Sequence, residues 1–292
     1  MEIIIAKNAG LCYGVKRALR LARKIRAEQS GPVTTLGEII HNPQIIRDLL
    51  QEGIASADSL DQISSGTVII RSHGVSPEVF ELLEGKRLAL ADATCPIVRQ
   101  IQKRAERLAR RGAELVIVGN REHPEIQGLL GYSRGRAVVV ETEAQAQELP
   151  VLRRRSALAQ STLDLDLFEK VVSRLLERTT ELTVFNTICR YTRVRQRATL
   201  ELARQVDALF IVGGKSSSNT RTLFQLSQRL LPRTYFVESA AEIRPEMLSG
   251  AARIGISGGA STPPEAIDEA VQAIKNSFKF KSQREMSVQC QR

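Results

Sequence analysis

Three cysteines far apart in the chain occupy one position in a repeated plan, and that repeat limits the available folds more than any other feature. Cys12, Cys95 and Cys189 each follow a short β-like run (2–6, 87–93 and 181–188) and each precede a stretch of helical periodicity. Apolar residues then recur at steps of three and four: Val15, Ala18, Leu19, Ala22 and Ile25; Ile97, Ile101, Ala105 and Leu108; Val194, Ala198 and Leu202. Next comes a strand-like run (33–36, 115–118, 209–212) and a polar loop reaching His41, His123 and Ser218, which lie 29, 28 and 29 residues after their cysteines. A second strand and loop follow in each copy, carrying Arg71-Ser72-His73-Gly74, Gln160-Ser161-Thr162 and Gly258-Gly259-Ala260-Ser261. Here His73, Ser161 and Ser261 are taken as equivalent.

The pattern predicts three α/β units: 13–95, 96–188, and 1–12 with 189–280, followed by a polar tail, 281–292. A chain of 292 residues can hold two or three small domains, and with aromatics at 4% and no Trp its core must come from Leu, Ile, Val and Ala. In such units ligands bind at the carboxyl ends of strands. Three units around a common centre would gather three thiols and six polar loops. No apolar run approaches a membrane span, and the start of the chain has an acid where a signal peptide needs a basic region, so a cytoplasmic protein is expected. The net charge of +10 draws on Lys16, Arg17, Arg20, Arg23 and Lys24, read as a solvated helix face, and on Arg153-Arg154-Arg155. No zinc-finger spacing and few aromatics speak for nucleic acid.

Three converging thiolates suit an iron–sulfur cluster or zinc. With three ligands, one iron of a four-iron cluster keeps an open position. Cys290, alone on a polar tail, has no place in the repeat. The chain has only three histidines, His41, His73 and His123, and all fall in the polar loops, where imidazole can donate to phosphate oxygens or move protons. Ser217, Ser218, Asn219 and Ser261 add hydroxyl and amide donors beside Gly-rich backbone. Glu125, next to His123 and Pro124, is the acid placed to hold a proton.

Taken in order, the motifs Ala9-Gly10-Leu11-Cys12-Tyr13-Gly14, His41-Asn42-Pro43, Arg71-Ser72-His73-Gly74, Asp92-Ala93-Thr94-Cys95-Pro96, His123-Pro124-Glu125, Asn186-Thr187-Ile188-Cys189, Lys215-Ser216-Ser217-Ser218-Asn219 and Gly258-Gly259-Ala260-Ser261 resemble the 4-hydroxy-3-methylbut-2-enyl diphosphate reductases, the LytB/IspH family of the non-mevalonate isoprenoid pathway. The resemblance runs from residue 2 to about 275. It implies three pseudo-repeated α/β units, trefoil-like, around a central [4Fe–4S] cluster, one per chain, held by Cys12, Cys95 and Cys189. It implies a diphosphate site at His41, His73, His123, Ser161, Ser217, Ser218, Asn219 and Ser261, with Glu125 delivering protons. The implied reaction consumes two electrons and two protons, releases water, and yields isopentenyl and dimethylallyl diphosphate. A ferredoxin- or flavodoxin-type donor is implied, and a monomer is expected. Ser161 stands where the family has threonine, which keeps the hydroxyl on a freer side chain.

Overall fold

The computed structural model describes residues 2–86, 88–112 and 114–289, with side chains of the last helix described as far as Ser277. Arg87, at the start of one expected strand, and Cys290 lie outside the described residues. In chain order the elements are β1 (Glu2–Ile5), α1 (Tyr13–Glu28), β2 (Val33–Leu36), α2 (Pro43–Gln51), β3 (Ile54–Ala57), β4 (Thr67–Ile70), α3 (Pro77–Gly85), β5 (Ala89–Asp92), α4 (Pro96–Arg110), β6 (Glu114–Val118), α5 (Pro124–Tyr132), β7 (Ala137–Val140), α6 (Glu143–Glu148), β8 (Leu152–Ala159), α7 (Leu165–Glu177), β9 (Thr179–Phe185), α8 (Arg190–Ala203), β10 (Ala208–Val212), α9 (Ser218–Leu230), β11 (Thr234–Val237), β12 (Arg253–Gly258) and α10 (Pro264–Gln289).

The strands form three four-stranded sheets of one topology: β1-β12-β10-β11, β5-β4-β2-β3 and β9-β8-β6-β7. All pairings are parallel. The chain divides into two compact units, a terminal one (Met1–Cys12 with Arg193–Arg292) holding the first sheet, and a middle one (Tyr13–Thr192) holding the other two.

Parallel strands covered on both faces read as continuous apolar runs, and the β9-β8-β6-β7 sheet shows why. Val116, Val118, Ala157 and Ala159 face Phe168, Val171 and Leu175 of α7. Their neighbours Leu115, Ile117 and Leu158 face Ile101, Ala105 and Leu108 of α4 and Ile126 and Leu129 of α5. Each large side chain so buried contributes roughly 1.5–3 kcal/mol.

Sharp turns after the first loop-bearing strands need glycine. Gly37 (φ 71°) follows β2, and a Cβ there would strike the Arg71 guanidinium. Gly213 (φ 138°) follows β10, and a Cβ there would strike Thr262 Oγ1. Both are positions that L side chains avoid.

Two sequence expectations are corrected. The apolar 2–6 run, which by its composition reads as a buried strand, is an edge strand, with Ile5 47% exposed. Val194 in α8 is exposed, and the helix buries Thr192, Arg195, Gln196 and Thr199 with Leu202 and Ala203. A polar face suits the work: Arg195 donates to the carbonyls of Asn8 (3.0 Å) and Gly10 (2.6 Å), and Thr199 bonds Ser257. The Arg153-Arg154-Arg155 run lies beside acids. Arg155 is buried against Glu114 at 2.7 Å, and Arg154 pairs with Glu181 at 2.5 Å.

Candidate active site

The predicted site residues lie at the carboxyl ends of the sheets, on loops wired alike. Each cysteine amide donates to a peptide carbonyl two residues past the end of the neighbouring strand: Cys12 to Ala260 (3.1 Å), Cys95 to Ser72 (2.9 Å) and Cys189 to Ser161 (2.9 Å). Each cysteine is a partly exposed thiol immediately before a helix. A helix N-terminus carries partial positive charge, which favours thiolate.

This wiring shifts the repeat register. Ser72, Ser161 and Ala260 are equivalent, so His73 and Ser261 correspond to Thr162, not to Ser161. Thr162, which the sequence reading left without a role, is partly buried and accepts from Gln160 Nε2 at 3.2 Å. The first loops shift too. The helix N-caps are Asn42, His123 and Ser217, so the loop holding His41 carries one extra residue and Ser218 is already helical.

In the middle unit His41, His73 and His123 meet. His41 stacks on His73 with ring centroids 4.6 Å apart, and His123 stands edge-on to both, at 5.6 and 5.2 Å. Burial pushes His73 well below the usual imidazole range, aided by His41, His123 and Arg71. Burial and the same cationic surroundings push His123 down to about 3. Both rings are therefore neutral near pH 7. His123 Nδ1 accepts the Glu125 amide at 3.2 Å, so its proton sits on Nε2. His41 Nδ1 lies 3.1 Å from Glu38 Oε2 and donates to it. His73 Nδ1 is buried with no protein partner. The Nε2–H of His123 is a donor suited to an anion, whereas a metal ion would need that nitrogen bare.

Glu125 is 1% exposed at the second position of α5. Ser161 donates to both its oxygens, the amide to Oε1 (2.7 Å) and Oγ to Oε2 (2.6 Å). Burial raises the carboxyl pKa, against the pull of these two bonds. The serine in place of threonine thus keeps its hydroxyl, on Glu125. Through its carbonyl, Ser161 also ties this acid to Cys189.

In the terminal unit Ser217, Asn219 and Ser261 are buried together, with Ser261 Oγ 3.3 Å from Ser217 Oγ. Asn219 Oδ1 accepts the Ala260 amide at 3.0 Å, while its Nδ2 is buried with no protein partner. Ser218 is partly exposed. Cys12 joins this corner through Ala260.

Three soft thiols, one per sheet, fit an iron–sulfur cluster by donor chemistry. Buried amide and imidazole nitrogens without protein partners fit an anionic ligand.

Fold and site together define an α/β protein of three parallel-sheet repeats, each with a thiol at its strand ends. The chain belongs to the LytB protein family, whose model matches residues 3–275. Relatives named 4-hydroxy-3-methylbut-2-enyl diphosphate reductase include that of Geobacter metallireducens, 42% identical over 94% of this chain and 97% of its own length. That of Aquifex aeolicus is 43% identical over 94% and 96%. A solved structure of (E)-4-hydroxy-3-methyl-but-2-enyl diphosphate reductase, described as the terminal enzyme of the non-mevalonate pathway, is 42% identical with a TM-score of 0.70, over 94% of this chain and 100% of that one. The fold is also that of the E-1-hydroxy-2-methyl-but-2-enyl-4-diphosphate reductase from Plasmodium falciparum (TM-score 0.88, 23% identity, 97% and 99% coverage). Among the described residues no helix is long and apolar enough to cross a membrane.

Proposed function

We propose that this chain is an iron–sulfur oxidoreductase that reductively removes the hydroxyl of 4-hydroxy-3-methylbut-2-enyl diphosphate. The products are isopentenyl and dimethylallyl diphosphate, and the reaction is the last step of the non-mevalonate pathway. One [4Fe–4S] cluster per chain would be held by Cys12, Cys95 and Cys189. When bound, it would supply electrons and a Lewis-acidic iron with an open position. The observation that carries the reading is the Glu125–Ser161–Cys189 connection: a buried acid with a raised pKa, one residue removed from a thiol of the repeat.

The protein's own residues divide the work. His73 and His123 offer imidazole N–H groups, with His41 completing the cluster, and Ser217, Ser218, Asn219 and Ser261 offer hydroxyls and an amide, to the diphosphate. Neutral donors bind the anion without burying further fixed cations. The bound diphosphate holds the allylic end in place, so the reacting carbon is positioned by binding energy spent elsewhere on the substrate. Glu125, its carboxyl held by Ser161, delivers a proton as the carbon–oxygen bond breaks. Per turnover two electrons and two protons enter and one water leaves.

The test is turnover of the allylic diphosphate by anaerobically purified protein with reduced methyl viologen. Formation of both five-carbon diphosphates, dependent on the reductant, is expected. Dehydration without any electron donor would instead mark a hydro-lyase and contradict the reading.

A further inference from the structure

Two of the three cysteine loops carry their own brace. Asp92 stands three residues before Cys95, and its Oδ1 accepts the Thr94 amide at 2.9 Å. Asn186 stands three residues before Cys189, and its Oδ1 accepts the Ile188 amide at 3.2 Å. Each side chain closes an Asx turn on the amide just ahead of the thiol. Little chain is left to control, because β5 ends at Asp92 and β9 at Phe185, so that only 93–94 and 186–188 separate strand from cysteine. Both loops are then tied again. Asp92 pairs with Arg99, the Thr94 carbonyl accepts from Arg17 at 3.2 Å, and the Thr187 hydroxyl donates to the Ala159 carbonyl.

The Cys12 loop, in the terminal unit, differs on each count. β1 ends at Ile5, which leaves 6–11 to be ordered. The residue three before the thiol is Ala9, whose side chain has no acceptor. Asn8 (φ 63°) and Gly10 (φ 95°) both lie in the left-handed region, so the path of the chain is irregular. The loop's amides run to the end of β12: Ala6 to the Ile256 carbonyl (2.8 Å), Gly10 to Gly258 (3.4 Å) and Cys12 to Ala260 (3.1 Å). Its alternate carbonyls, of Asn8 and Gly10, accept from one side chain, Arg195, through Nε at 3.0 Å and Nη2 at 2.6 Å. Arg195 is 3% exposed, so water does not compete for these bonds.

Resting on the reading that Cys12 holds the cluster, we propose that Arg195 is the positioning residue of this thiol, ordering the Cys12 loop before any cluster is bound. The planar guanidinium holds two donors at a fixed spacing, and charge strengthens both bonds. Fixing the carbonyls of Asn8 and Gly10 together selects one path through the two left-handed residues, and Cys12 follows two residues on. The brace that the other loops take from an Asx side chain within the turn comes here from α8, some 185 residues away in the chain. Loss of Arg195 therefore frees one thiol of the three, and the cluster is gripped least well at that corner.

The test reads the thiols one at a time. The full-length, cluster-free chain is alkylated with iodoacetamide, and the rate at each cysteine is followed by peptide mass spectrometry. All three thiols are partly exposed, so their rates can be compared. In Arg195→Met, which keeps an apolar stem and removes the fork, Cys12 should react at least fivefold faster while Cys95 and Cys189 stay within twofold. Asp92→Ala should do the reverse, speeding Cys95 and leaving Cys12 within twofold. A general loosening of the fold would move all three together. If Arg195→Met does not fold, Arg195→Lys, whose single ammonium cannot fork between the carbonyls, should still speed Cys12 alone about twofold. After anaerobic reconstitution, Arg195→Met should lose iron to a chelator at least threefold faster than wild type. An unchanged Cys12 rate in both Arg195 variants, or equal acceleration at all three thiols, overturns the positioning proposal and leaves the cluster reading standing. Selective acceleration at Cys12 in a chain whose wild type takes up no iron overturns the cluster reading and leaves the placement of Cys12 by Arg195 standing.

Discussion

The loops after β6 and β8 and those after β10 and β12 share one backbone plan and differ in their chemistry. Glu125 and Asn219 each stand two residues after a helix N-cap, His123 and Ser217. Each accepts, on a side-chain oxygen, the amide two residues beyond the neighbouring strand: Ser161 N to Glu125 at 2.7 Å, Ala260 N to Asn219 at 3.0 Å. One corner thus pairs a carboxyl with a hydroxyl, and the other pairs an amide with a methyl. Burial raises the carboxyl pKa and so favours its protonated form. An amide in the same place never titrates and can only hold a ligand. Under the proposed function, a single repeated scaffold would serve as a proton store at one corner and a neutral anion grip at the other.

Exchanging the chemistry of the two corners should separate them. The largest effect is expected from Glu125→Gln, which makes the acidic corner resemble the amide one. Turnover should fall on the order of 10²–10⁴-fold with KM nearly unchanged, read by steady-state kinetics. Full turnover would remove Glu125 from proton delivery. Asn219→Asp makes the opposite exchange, setting a buried negative charge beside the diphosphate. KM should rise at least tenfold with a smaller change in kcat. Ser161→Ala copies Ala260 and removes the bond to Oε2. About a tenfold loss of turnover is expected, and Ser161→Thr should restore it. Because the Ser161 bonds hold the Glu125 pKa down, the alkaline limb of the rate profile should move to higher pH in Ser161→Ala. A limb that stays put would contradict the pairing.

A smaller effect concerns stability. His123 is held at about 3, below the ordinary 6.5, so between these values the unfolded chain binds the extra proton. Stability should therefore fall as pH drops below 6.5, by roughly 1.4 kcal/mol per pH unit for a single such group. Urea midpoints of wild type and His123→Asn at pH 7.5 and 5.5 check this. The asparagine keeps an N-cap and should lose less on acidification.

The repeat was legible because continuous apolar runs and 3.6-period patterns survive in the sequence: 115–118 and 209–212 are fully apolar, and α1 and α4 bury the faces their spacing marks. The histidine cluster was legible because all three histidines fall in polar loops that follow strands, two in first loops and one in a second. Other features have no periodic signal. The equivalence of Glu125 with Asn219 rests on hydrogen bonds spanning 36 and 41 residues. The true register, through Ser72, Ser161 and Ala260, rests on the cysteine amides. The buried polar face of α8 exists because Arg195 holds carbonyls at Asn8 and Gly10, some 185 residues away.

The central claim is that the three repeated thiols serve one cluster. Its most direct test is iron and acid-labile sulfide per chain, measured on anaerobically prepared wild type and on Cys12→Ser, Cys95→Ser, Cys189→Ser and Cys290→Ser. The account predicts about four of each in wild type and in Cys290→Ser, with marked loss in the other three. Equal iron in all four variants, or none in wild type even after anaerobic reconstitution, would contradict it.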